Sequence, residues 1–356
     1  MLLKENYTAE HIADLRMRTE ADPSILERTV FAFGLLEALV KSGMSFIFKG
    51  GTSLLLLLDR PRRLSTDIDI IVEPGTDIDE YIRSAGQLFP FKSVEEDIRK
   101  GANNIEKRHF RFQFDSPRTG REINILLDVV FEHDPYAYIE EKPIRNELLL
   151  SEGEDLVVRV PDKNCLLGDK LTAFAPHTTG IPFGIDKELE IIKQMFDCYT
   201  LIGELDDLKK VSQTYSNISK IEIGYRGLDI TSEEVLRDTI DSCLCIMGRS
   251  GIRPDEYKNF KKGIDAIQGH IFSGNINGEN AGSMACEVMY LAACLLTGQQ
   301  EYIKIEESSE YINRTFMMKG MKKINYMKTA FPLGYGYLAE SFSILQDAGL
   351  YLDSIL

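Results

Sequence analysis

Two aspartates one residue apart, Asp67 and Asp69, stand in the stretch DIDIIV at residues 67–72. On a strand, side chains at i and i+2 share a face. Both carboxylates then point one way, Ile68 and Ile70 point the other, and Ile71 continues the carboxylate face. Adjacent carboxylates repel unless a cation sits between them. A hard oxygen-ligand site suits magnesium, which takes a few carboxylates together with substrate phosphates. A third aspartate, Asp128, lies in INILLDVVF at 123–131, a nearly continuous apolar run of the kind found in a central, buried strand. An ionised carboxylate is costly there unless it is paired or binds metal. Beside the Asp67/Asp69 strand, Asp128 would complete a two-metal site able to activate an attacking oxygen and neutralise a leaving pyrophosphate.

A second group could hold the phosphates. Gly50-Gly51-Thr52-Ser53 follows the short apolar stretch Phe46-Ile47-Phe48 and precedes the apolar helix Leu54–Leu58. Glycines let an anion approach the backbone, and the N–H groups of a helix N-terminus favour negative charge. Thr52 or Ser53 can add a hydroxyl donor. The GxxxxGK[ST] spacing of a Walker loop is absent. Taken alone, a glycine pair between strand and helix is most often just a turn.

The elements that must position these residues follow from periodicity. Residues 23–43 read as a helix stopped by Gly43, and 46–48 as a short strand. After the glycine turn comes a basic loop at 59–66, then the 67–72 strand, ended by Pro74 and Gly75. Residues 77–90 read as a helix. Strands are expected at 109–114 and 123–131, joined by a hairpin turn (DSPRTGRE), and at 157–160. From Asp162 onward helix follows helix, at 163–175, 187–203, 205–218, 232–248, 255–273, 279–297, 308–325 and 336–350. The expected fold is α+β: a mixed sheet flanked by helices, followed by an all-helical C-terminal region. The expected division is 1–205 and 206–356.

The order of these parts is more specific than any one of them. Strand, GGTS, helix, basic loop, DxD strand and a later lone Asp resemble the nucleotidyltransferase superfamily that includes polymerase beta. More narrowly, KGGTSL followed by RLSTDIDI is similar to the AbiEii-type nucleotidyltransferase toxins of bacterial toxin–antitoxin and phage-defence systems, whose stretches run KGGTxL and RxSxDID. Arg63, Ser65, Asp67 and Asp69 fall in place. Lys170-Leu171-Thr172-Ala173 matches that family's KLxA helix. Lys193–Asp197 (KQMFD) matches its KDxxD helix, with Gln194 standing where the family usually has Asp. The resemblance covers roughly residues 30–205.

This resemblance implies transfer of NMP from an NTP to an acceptor hydroxyl. Asp67, Asp69 and Asp128 would hold magnesium or manganese. Lys49 to Ser53 (KGGTS), Arg63, Ser65 and Lys170 would lie along the nucleotide, with Lys170 on the triphosphate and Asp197 in a catalytic or orienting role. Some members are described as adding nucleotides to the 3′ end of tRNA, so tRNA is the preferred acceptor and a cognate antitoxin the implied protein partner.

Plainer readings stand beside these. A lysine flanked by Leu166, Leu167, Leu171 and Phe174 often only extends its head to water. Asp197 could make an i,i+4 ion pair with Lys193. Arg63 could be a solvated loop residue, and Ser65 a turn residue supporting the strand. Segment 99–121 is basic and interleaved with His109, Phe110 and Phe112, as nucleic-acid surfaces are. Phe110, Phe112 and Phe114 would still form the core side of one strand, with His109, Arg111 and Gln113 opposite. His133 and His177 lack partners at zinc-ligand spacing.

Composition bounds the remainder. The 356 residues carry 41 basic and 56 acidic groups, a net of −15, which is not the profile of a general nucleic-acid binder. That balance favours, if anything, a protein or small-molecule acceptor. A non-catalytic nucleotide-binding module would be expected to lose one of the three aspartates. The six cysteines form no CxxC pair and read as buried free thiols of a reducing compartment. There is no signal-peptide core and no apolar run near the roughly 20 residues that span a bilayer, so a cytoplasmic protein without membrane contact is expected.

Overall fold

The computed structural model describes residues 1–98, 106–314 and 324–350. In chain order the elements are α1 (Ala9–Thr19), α2 (Pro23–Lys41), β1 (Ile47–Lys49), α3 (Gly50–Leu57), β2 (Ile68–Val72), α4 (Asp79–Gly86), β3 (Ser93–Glu96), β4 (Lys107–Asp115), β5 (Glu122–Phe131), β6 (Ile139–Pro143) and β7 (Val157–Pro161). Helices follow: α5 (Lys163–Ala173), α6 (Glu188–Ile202), α7 (Leu208–Arg226), α8 (Ser232–Gly248), α9 (Pro254–Ala266), α10 (Ala281–Leu296), α11 (Ile324–Ala330) and α12 (Pro332–Asp347). Arg99 and Lys100 of the basic segment, and residues 315–323 of the helix expected at 308–325, lie outside the described residues.

Five strands form a mixed sheet in the order β1-β2-β5-β4-β3. β2 runs parallel to β5, and the other pairs are antiparallel. The DSPRTGRE turn does join β4 to β5 as a hairpin. One face of the sheet is core: Ile68, Ile70 and Val72 of β2, Phe110, Phe112 and Phe114 of β4, and Ile125, Leu127, Val129 and Phe131 of β5 are all buried. Helix α2 lies on this face, with Phe31 stacked on Phe114 at a centroid distance of 3.7 Å. Its start follows local rules: Asp22 accepts from the N–H groups of Ser24 and Ile25, and Pro23 occupies the first turn, where its missing donor costs nothing.

β5 is the central strand, as its sequence suggests, but it is not buried on both faces. Burial alternates along it from Asn124 onward, and Leu126, Asp128 and Val130 face a partly open side. The apolar residues at 126 and 130 hide that alternation in the sequence. Four of these elements were not foreseen. One is α11, which begins where the helix expected at 308–325 ends, while residues 308–314 of that expectation hold turns rather than helix. α1 is too polar for a clear stripe and is fixed instead by Thr8, whose hydroxyl caps the His11 N–H. β3 and β6 are short and charged, and their partners β4 and β7 order them.

Contacts divide the chain into two compact units, one of residues 1–163 with 269–275 and one of residues 164–268 with 276–356. This is a partition by packing, whereas the division expected at 205 rests on the order of the elements, an α/β half followed by an all-helical one. The helix expected over 255–273 ends at Ala266. After one short turn at Ile267–His270, the chain runs as a strap against the first unit's own loop. There Leu64 N–H donates to His270 O (2.7 Å), Phe272 N–H donates to Arg62 O (3.1 Å), and Arg63 bridges Ile271. In the second unit, α10 packs on α8, α12 and α6. All six cysteines lie in this unit, free and buried, and burial pushes the thiols of Cys245 and Cys294 up to about 12. Among the described residues no helix is long and apolar enough to cross a membrane.

Candidate active site

The site is carried by the second face of the sheet. In the β2–β5 register Asp69 stands directly beside Asp128. The same row continues to Lys49 on β1 and His109 on β4, so four strands place Lys49, Asp69, Asp128 and His109 side by side on one face. Asp67 precedes β2 and is exposed, while Asp69 and Asp128 are half-buried. The Asp128 side chain is 35% accessible, so the burial cost anticipated for it is relieved by solvent as well as by a partner. That partner is His109, whose Nδ1 lies 2.6 Å from Asp128 Oδ1.

The glycine pair is part of the same construction. Gly50 holds φ +82, a left-handed conformation that favours glycine, and a Cβ there would collide with the Asp69 carboxylate. A Cβ on Gly51 would stand 2.7 Å from an Arg63 guanidinium nitrogen and 2.8 Å from Ser65 Oγ. The backbone at 50–51 is therefore pressed between the DxD strand and the RxS loop, which explains physically why these short stretches go together. Both glycines lie in the first turn of α3, whose N–H groups are the anion-binding kind.

Thr52 and Ser53 have a different task from the hydroxyl donors anticipated for a phosphate. Both are fully buried. Thr52 Oγ1 donates to Asp67 O (2.5 Å) and Ser53 Oγ donates to Gly50 O (2.9 Å). Thr52 thus ties the start of α3 to the backbone of the first carboxylate. Arg63 is buried rather than a solvated loop residue, and it donates to Leu64 O (3.1 Å). Ser65 O accepts from Thr29 Oγ1 at 2.9 Å, which anchors the loop to α2.

Lys170, Gln194 and Asp197 meet in the helical unit. Lys170 Nζ lies 3.1 Å from Asp197 Oδ2 and 3.2 Å from Gln194 Oε1, with the Lys170 and Asp197 side chains 8% and 1% accessible. Asp197 does not take the i,i+4 pairing with Lys193, which instead reaches Glu190 at 2.9 Å. Gln194, the residue that departs from the family pattern, accepts a hydrogen bond from the lysine that the KLxA motif supplies. Lys170 does not simply extend to water.

Among the described residues of the basic segment, three arginines are paired with carboxylates. Arg108 is held by Glu96 and Asp79 at 2.7 Å, Arg111 by Asp97 at 3.0 Å and Arg118 by Glu27 at 3.3 Å. The Arg108 hydrogen bond holds the Glu96 carboxyl below its usual range. His133 pairs with the exposed Glu73. His177 lies between Asp238 (2.7 Å) and Glu256 (3.3 Å), and the hydrogen bond to Asp238 raises its pKa.

The donor set on the sheet fits a hard divalent cation: oxygen ligands on neighbouring positions, partly open to solvent. Among the described residues no three His, Cys, Asp or Glu side chains converge on one point as they stand.

Paired carboxylates on adjacent strands, beside a glycine turn that opens a helix, suit nucleotidyl transfer. Comparison with known proteins gives the family. The family model "Nucleotidyl transferase AbiEii toxin, Type IV TA system" matches residues 34–264, and the chain belongs to that family, the nucleotidyltransferase toxins of type IV toxin–antitoxin systems. The match runs well past residue 205. JHP933 from Helicobacter pylori is a similar solved structure, with 12% identity and a TM-score of 0.42 over 76% of this chain and 93% of that one. A second H. pylori chain, described provisionally as a nucleotidyltransferase, is similar with 12% identity and a TM-score of 0.42 over 78% and 99%. No curated protein sequence matches.

Proposed function

We propose that the chain transfers NMP from an NTP to the 3′ end of tRNA in the cytoplasm, releasing pyrophosphate, and that this is how it acts as a toxin or in phage defence. The observation that carries the reading is the pairing of Asp69 with Asp128 across β2 and β5, with Gly50 pressed on Asp69. Asp67, Asp69 and Asp128 are the residues to hold the metal, magnesium or manganese. Bound there, the ion supplies Lewis-acid activation of the acceptor oxygen and charge neutralisation at the leaving pyrophosphate.

The α3 N–H groups at Gly50–Ser53, together with Lys49, suit the triphosphate. Arg63 and Ser65 keep the glycine turn and DxD strand in register. The resemblance gives Lys170 the triphosphate and Asp197 an orienting role; the buried pair they form would hold the lysine head in one place. We take residues 1–205 as the part that carries the chemistry. A cognate antitoxin is the implied partner.

The acceptor has one rival reading. The net charge of −15 and the paired arginines of β4 favour a protein or small-molecule hydroxyl over RNA. Incubation with magnesium, total tRNA and each of the four labelled NTPs separates the readings. Label in tRNA from the wild type but not from Asp69→Ala supports the proposal and names the nucleotide. Label in protein or small-molecule fractions alone moves the acceptor. No NTP binding in magnesium removes the proposal.

A further inference from the structure

The imidazole of His109 is not among the residues the sequence motifs select. Its position is nonetheless fixed by two independent features. The β4–β5 register sets His109 opposite Asp128, and its Nδ1 stands 2.6 Å from Asp128 Oδ1. An ionised carboxylate only accepts hydrogen bonds, so Nδ1 carries the hydrogen. The contact is sheltered, with the His109 side chain 18% accessible.

Asp128 needs such a partner. Like charges directly opposite each other on adjacent strands destabilise the pairing, and Asp69 is the register neighbour of Asp128 on its other side. A donor from β4 draws one oxygen of Asp128 along the row, away from Asp69, and restricts the rotation of the carboxylate. Groups that orient metal ligands in this way commonly change metal affinity or activity by about 10–100-fold when removed.

We propose that His109 is a positioning residue for the nucleotidyl-transfer site: its Nδ1–H fixes the rotamer of Asp128, and so sets how well the Asp69/Asp128 pair takes a divalent cation. This rests on the reading of Asp128 as a metal ligand. No proton transfer through His109 is required, because the effect is one of orientation.

The test uses the full chain and four variants, H109N, H109Q, D128N and the double H109Q/D128N. An Asn amide can place a donor where Nδ1 stands, whereas a Gln amide reaches the position of Nε2. The readouts are Mn2+ binding without nucleotide, by electron paramagnetic resonance, and kcat and KM for the NTP that the wild type uses. Thermal unfolding shows whether each variant folds. H109Q is expected to weaken Mn2+ binding and lower kcat by about 10–100-fold with little change in the KM for NTP. H109N should stay close to wild type, and the double variant should be no worse than D128N.

Equal behaviour of folded H109N and H109Q, or wild-type Mn2+ binding in H109Q, would overturn the role of His109. If D128N itself kept wild-type Mn2+ binding and turnover, the metal-ligand reading of Asp128 would fall, and the inference with it.

Discussion

At the scale of single residues, the site depends on contacts as much as on charges. Gly50 shows this most clearly, because its missing side chain is what lets Asp69 lie against the start of α3. Gly50→Ala combines a left-handed conformation, costing about 1–2 kcal/mol for a residue with a Cβ, with displacement of Asp69. Activity is expected to fall by about 100-fold, the usual consequence of a reacting group moved by an ångström. That exceeds what the stability loss alone would cause. Steady-state kinetics beside a urea titration check it; an active variant with only the stability loss would mean that Asp69 tolerates the shift.

Much at this scale was legible in advance. The closeness of Asp128 to Asp69 follows from order along the chain, whereas the strand face expected to carry Asp67 beside Asp69 stops short of Asp67, because β2 begins at Ile68. The His109–Asp128 contact was not legible, because it depends on the β4–β5 register and hence on the hairpin turn. Nor was the commitment of the Thr52 and Ser53 hydroxyls to backbone carbonyls. A Thr and a Ser at a helix start look alike in sequence whether they face a phosphate or a carbonyl.

At the scale of elements, apolar periodicity located the long helices and the main strands. It failed where neighbours rather than the segment's own pattern decide. β3 and β6 are ordered by their partners, and the strap after α9 by hydrogen bonds to Arg62 and Leu64. β5 failed in the opposite sense, because apolar residues on its open face mask the alternation that leaves Asp128 accessible.

The α5–α6 contact makes a prediction of its own. Lys170 and Asp197 are buried together, and removing one partner of such a pair typically costs about 3–5 kcal/mol because the other stays buried without it. Lys170→Ala should therefore be strongly destabilised. The double variant Lys170→Met, Asp197→Leu should recover much of that loss in urea unfolding while remaining inactive. If the double variant were active, the pair would be structural alone. If Lys170→Ala were as stable as wild type, the pair would not be the buried contact described.

At the scale of the whole molecule, the family match over residues 34–264 begins inside α2 and ends inside α9, so it takes in parts of both compact units. Membership was legible from KGGTSL and RLSTDIDI. The division of the chain by packing was not, because α5 and α6 have the same helical signature whichever unit they join. The acidic net charge of −15 sets a further expectation. If tRNA is the acceptor, its binding surface must be local, and transfer should weaken as salt rises.

The central claim is that the Asp69/Asp128 pair supports nucleotidyl rather than phosphoryl transfer. The most direct measurement gives the purified chain magnesium, total tRNA and one NTP labelled in turn at its α- or γ-phosphate, with Asp69→Asn as the control. The account predicts acceptor label from the α-position only, matched by release of labelled pyrophosphate from the γ-position, and neither with the variant. Acceptor label from the γ-position, or undiminished transfer by Asp69→Asn, would contradict it.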